Sequence, residues 1–260
     1  MMKTEFKHQK NSRKQPHLII TATGILLFPL IWVTISYIMK VPERYLPAPN
    51  SVLLAAFDIE PNIFIHAWKT LTRLIIGFFA GSIAGVLLGI FLYRIVWLRH
   101  ILFPTLQAVR ALPPVAAIPF FLLWFGFSDA GKWLLVVMGA GVNLAFTSYQ
   151  ILIDIPEKYI YALNSFGVKK ESLPWNISVP LVLDRLLPTL RFSLAVAIGL
   201  IIVSELLGSQ VGLGYLIQSA RSTFSLQTIF LSAILLSVMN ALGDWGLVSL
   251  WKTILFWRQT

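Results

Sequence analysis

Residues 154–188 read DIPEKYIYALNSFGVKKESLPWNISVPLVLDRLLP and carry four of the chain's fourteen prolines. Long apolar runs lie on both sides of this polar stretch. Ile155, Tyr159, Ala162, Leu163 and Phe166 recur at helical spacing and predict one apolar helix face. Gly167 follows directly, where a left-handed cap would end the helix. Pro174 and Pro180 are then expected to prevent one continuous helix, leaving a turn and a second short piece that returns to the apolar run. A short amphipathic helix of this kind can lie flat in a membrane interface or be held by something outside it.

Composition sets the class. The 260 residues are 57% hydrophobic and 12% charged, with a mean hydropathy of +0.77. Soluble domains carry about a quarter charged residues, so the chain reads as an all-α membrane protein that crosses the bilayer several times. There is no cysteine, hence no disulfide framework or thiolate metal site. His8, His17, His66 and His100 fall outside the expected spans, and no HExxH or GxSxG pattern occurs. Membrane metalloenzyme and serine hydrolase chemistry are thereby disfavoured. The net charge of +10 does not point to nucleic acid. Most Lys and Arg fall in segments that the positive-inside rule places in the cytoplasm, so the charge orients the chain.

About six spans are expected, at 18–39, 71–95, 101–127, 133–153, 191–208 and 228–251. A run of about 20 apolar residues crosses a ~30 Å core. Residues 1–17 form a basic cytoplasmic N-terminus and 18–260 one transmembrane domain, with 154–188 a cytoplasmic loop between the fourth and fifth spans. The first run exceeds a signal-peptide core of ~7–15 residues and has no small-residue cleavage site after it, so it reads as retained. Trp68, Trp97, Trp124, Trp133, Trp251 and Trp257 fall near span ends, as interfacial aromatic belts do.

Within the spans, Gly77, Gly81, Gly85 and Gly89 form a stripe that lets another helix approach closely, either in this chain or in a second copy. Pro113, Pro114 and Pro119 must kink the third span, which with Arg110 makes it a candidate pathway wall. Glu205 is an intramembrane acid that must face the bundle or water, as a structural hydrogen bond or as a gate. Asp244, beside Gly243 and Gly246, reads as structural. Residues 126–133, GFSDAGKW, imitate a phosphate loop, but Trp133 replaces the hydroxyl that holds magnesium and the site is a turn between spans.

The 154–188 segment also resembles the cytoplasmic loop of bacterial ATP-binding-cassette importer permeases, whose pattern is EAA-x3-G-x9-I-x-LP. Tyr161-Ala162-Leu163, Gly167, Ile177 and Val179-Pro180 fall at the matching separations, with Phe166 on the apolar face. Tyr161 replaces the acid, Leu163 the second alanine and Val179 the leucine. Residues 112–126 and 204–217 look like the permeases for sulfonates, taurine, nitrate and related small solutes.

The resemblance implies a type I importer permease fold in a bacterial inner membrane, with both termini cytoplasmic. A second permease copy, an ATPase subunit that holds ATP and Mg, an extracytoplasmic solute-binding protein and membrane lipid would be its partners. This chain would bind no cofactor, no metal and no nucleic acid, and would perform no chemistry. Tyr161 to Gly167, Ile177 and Pro180 would couple it to the ATPase. An ion-coupled secondary transporter or channel is the alternative, disfavoured by the lack of a repeat or of paired midplane carboxylates.

Overall fold

The computed structural model describes residues 24, 26–27, 29–39, 41–168 and 173–255. Residues 1–17 lie outside them, as do 18–23, 25 and 28 of the first expected span, Lys169 to Ser172 and Trp257. Among the described residues the secondary structure is entirely helical. In chain order these are α1 (Pro29–Ile38), α2 (Pro49–Leu54), α3 (Ile63–Arg94), α4 (Val96–Ala111) and α5 (Ile118–Phe125). They continue with α6 (Asp129–Ile153), α7 (Glu157–Ser165), α8 (Trp175–Gly208), α9 (Leu213–Ser222) and α10 (Leu226–Ile254).

Four helices, α3, α6, α8 and α10, are long and apolar enough to cross a membrane, and α4 with the segment Pro114–Phe125 makes a fifth if that bent pair counts as one span. The bend is 95°. It falls where Leu112 and Pro113 adopt extended ψ angles of 128° and 123°, so the proline kink expected for the third span is present. Pro119 does not contribute, because it sits in the first turn of α5, where no amide bond is lost.

α3 starts earlier than expected. Asn62 caps it by accepting the Phe64 amide at 3.0 Å, and His66 consequently lies buried inside a spanning helix rather than in a loop. α8 also corrects the sequence reading, since it runs unbroken from Trp175 through Pro180 and Pro188. An interior proline costs about 3 kcal/mol. Val182, Leu186 and Leu190 are buried on the core face of that stretch, and burying such side chains contributes about 1.5–3 kcal/mol each. Packing therefore carries the helix past both prolines.

α6 is the centre of the bundle, with α3 on one side and α8 on the other. The stripe on α3 explains the closeness of the first pair. A Cβ on Gly81 would meet the Val137 backbone at 2.9 Å, and one on Gly85 or Gly89 would strike the carbonyl of Gly141 or Ala145. The stripe thus packs within the chain. Leu135, Leu144, Leu152, Val182, Leu186 and Leu200 fill the main core. A smaller core joins α2, α3, α9 and α10 through Val52, Ile63, Leu213, Leu216 and Leu231. Trp251 belongs to the main core at 8% exposure and not to an aromatic belt, unlike exposed Trp68, Trp97 and Trp124.

Candidate functional site

α6 spans about 37 Å at 1.5 Å per residue, and polar structure collects at both of its ends. At the C-terminal end, α7 stops on a left-handed glycine. Gly167 has φ +73°, the Gly167 amide donates to Asn164 O and the Val168 amide to Leu163 O, both at 3.0 Å. Those are the two bonds of a Schellman cap. α7 has two apolar faces rather than the single one read from spacing. Ile160, Leu163 and Val168 pack against the core, together with buried Ile155. Phe166 is 84% exposed and Tyr161 72%, with Tyr159 and Ala162 also outward. Ile177 and Pro180 are half-buried in the first turns of α8.

Arg94 fastens this end to α3. Its Nη1 donates to Leu173 O at 2.7 Å, and its guanidinium lies 5.0 Å from the centre of the Trp175 ring. Nothing in the sequence singles out Arg94, at the end of the expected span 71–95, as this clamp. Arg110, in the last turn of α4, stands 4.2 Å over the Phe146 ring of α6. Pro114 is half-buried at the kink and Pro113 exposed.

At the opposite end, Glu205 is fully buried on α8. Arg73 Nη1 donates to it at 2.7 Å, Thr70 Oγ1 at 2.9 Å and the Gly214 amide at 3.0 Å. Arg73 also donates through Nε to Asp129 at 2.8 Å and through Nη1 to Val211 O at 2.6 Å. Thr70 accepts the Leu213 amide at 2.9 Å, and His66 Nδ1 the Gly212 amide at 3.1 Å. Gly212 is required here: its φ is +143°, and a Cβ would fall on the Glu205 carboxylate. One acid on α8 thus ties α3, α6 and the start of α9 together. Besides Glu205, the sequence signal for this network was a cation at position 73, inside the expected span 71–95.

Lys132, from the phosphate-loop imitation, is buried with Nζ donating to Phe127 O at 2.7 Å. It closes its own turn. Asp244 forms a two-pronged ion pair with Arg191, Nε to Oδ1 at 2.5 Å and Nη2 to Oδ2 at 2.7 Å, joining α8 to α10. Among the described residues no cluster of metal-ligating side chains occurs.

Residues 77–251 match the family described as the binding-protein-dependent transport system inner membrane component. The chain belongs to that family. It is a multi-pass membrane protein and the permease subunit of an ATP-binding-cassette importer, which works with an ATPase and a solute-binding protein. The ion-coupled alternative finds no support in these relatives.

Among those relatives is the taurine transport system permease protein of Escherichia coli K12, 25% identical over 94% of this chain and 91% of that one. The aliphatic sulfonates transport permease protein of Bacillus subtilis 168, described there as putative, is 28% identical over 88% and 84%. The formylaminopyrimidine transport permease protein of Halalkalibacterium halodurans is 27% identical over 90% and 94%. The fold is similar to that of a chain of the methionine ABC transporter MetNI, a structure solved in inward-facing conformations, with a TM-score of 0.56 and 20% identity over 74% of this chain and 98% of that one.

Proposed function

We propose that two copies of this chain form the path of an importer for a short aliphatic sulfonate such as taurine, with α7 as the handle by which the ATPase moves it. The observation that carries the coupling role is the two-sided build of α7. Ile160 and Leu163 tie it to the core, so force on the helix reaches α6 and α8, while Phe166 and Tyr161 stand outside, uncovered by any of the described residues. Burying one such aromatic in a groove contributes about 1.5–3 kcal/mol.

In this reading α7 and both termini face the cytoplasm, ATP and Mg are bound by the ATPase, and the solute-binding protein delivers at the far end. Closure of the ATPases pulls on α7, and the Arg94 clamp passes the motion to α3. The exposed face of Phe120, Leu123 and Trp124 on α5 suits a second copy or lipid. The names of the taurine and sulfonate relatives support the solute class.

Gly167→Asp tests the handle. It puts a charge on the docking face at a position whose positive φ an aspartate tolerates. The variant is expected to reach the membrane in normal amount but to lose ATPase co-purification and taurine uptake. Phe166→Ala should lower both by roughly tenfold, the equivalent of ~1.4 kcal/mol. Undiminished uptake in Gly167→Asp would overturn the coupling role.

A further inference from the structure

At the end of the bundle opposite α7, a cavity of about 600 Å³ opens between α3, α6 and the α8–α9 connection. That volume lies within the roughly 300–1,000 Å³ of small-molecule sites. Among the described residues, three cations line it, Lys69, Arg73 and Lys132, and no carboxylate does. The nearest acids are engaged: Glu205 by Arg73, Thr70 and the Gly214 amide, and Asp129 Oδ1 by Arg73 Nε, with Lys132 Nζ 4.0 Å from the same oxygen.

Two of the three cations, Arg73 and Lys132, are held in place. Carbonyl oxygens of Val211 and Phe127 fix Arg73 Nη1 and Lys132 Nζ. Arg73 Nη2 has no partner among the described residues, and exposed Lys69 stands at the mouth. Ser209 Oγ, in the wall, is buried without a hydrogen-bond partner among the described residues. Phe127, Leu206 and Leu207 supply an apolar part of the wall, and Gln210, Tyr215 and Gln218 add polar groups.

We propose that this cavity is an anion-receiving site that takes the sulfonate headgroup of a short aliphatic sulfonate as it leaves the binding protein. The three sulfonate oxygens accept from Arg73 Nη2, Lys132 and Lys69, with the Ser209 hydroxyl turning in as a further donor. Guanidinium and ammonium groups held in fixed positions are what oxyanion recognition requires. The short carbon chain lies on Phe127 and the leucines. The source of the anion rests on the importer reading above, but its binding to the cavity does not.

The test uses the assembled permease–ATPase complex in lipid nanodiscs, titrated calorimetrically with sodium ethanesulfonate and with uncharged ethyl methyl sulfone. Ethanesulfonate should bind at least about tenfold more tightly than the sulfone, and Lys69→Glu should weaken it by about tenfold. Lys69 is exposed, so this substitution leaves the buried network intact, and Lys69→Arg should retain binding. Equal binding of the sulfone, absence of ethanesulfonate binding, or an affinity indifferent to Lys69→Glu would overturn the site. So would loss of binding-protein association in Lys69→Glu at unchanged ethanesulfonate affinity, which would make the mouth a docking surface instead. Uptake separates the two readings. Sulfonate uptake by the wild-type complex without cavity binding removes the site alone; cavity binding without any sulfonate uptake removes the sulfonate-import reading and leaves the site standing.

Discussion

Glu205 has no solvent-facing surface and accepts hydrogen bonds from two other helices, Thr70 and Arg73 on α3 and the Gly214 amide on α9. Such a group contributes little as a pair, because desolvation offsets most of the Coulombic gain, but removing one partner is costly. Glu205→Ala removes the buried one of the two carboxylates that pair with Arg73, leaving it Asp129 alone, and leaves the Thr70 hydroxyl and the Gly214 amide without that acceptor. It is expected to destabilise the protein by about 3–5 kcal/mol, read as a fall in the thermal midpoint of the detergent-solubilised permease. Glu205→Gln keeps an oxygen acceptor and should fall between alanine and wild type. An unchanged midpoint for the alanine variant would show that the network does not hold this end together.

The α3–α6 pair is where one methyl group decides the packing of a whole element. A Cβ at position 85 would run into the Gly141 backbone, which cannot rotate away as a side chain could. Gly85→Ala should therefore cost at least about 1–3 kcal/mol. Gly246→Ala, where a Cβ meets nothing within 4 Å, should be neutral or stabilising by about 0.5–1 kcal/mol from helix propensity. Comparing the two variants by thermal unfolding separates seam packing from propensity, and equal behaviour would sink the seam argument. α8 carries the complementary lesson. Reading a break from Pro174 and Pro180 placed the fifth span at 191–208, whereas buried apolar side chains hold the helix together back to Trp175. Proline's local penalty is fixed by chemistry, but the burial that outweighs it depends on neighbours far away in sequence.

At the scale of the whole molecule, the proposed orientation is directly measurable because the chain has no cysteine. Single cysteines introduced at Tyr161 and Phe224, both highly exposed and at opposite ends of the bundle, can be probed with a membrane-impermeant maleimide. Phe224→Cys should be labelled in intact spheroplasts and Tyr161→Cys only after the membrane is opened. The reverse pattern would invert the topology and with it the roles of the two ends.

The membrane class, the polar segment, the kink at Pro113 and the stop at Gly167 were all legible in the sequence. Each depends on hydropathy, proline geometry or a cap formed by residues within a few positions of one another. Which residues meet across the bundle was decided only by the tertiary structure. Arg73 pairs with Asp129 and Glu205, 56 and 132 positions away, and the outward face of α7 is defined by what Ile160 and Leu163 bury against. Those pairings follow from how α3, α6 and α8 pack side by side. Helical periodicity sets the faces of one helix, and does not say which face of another will lie against them.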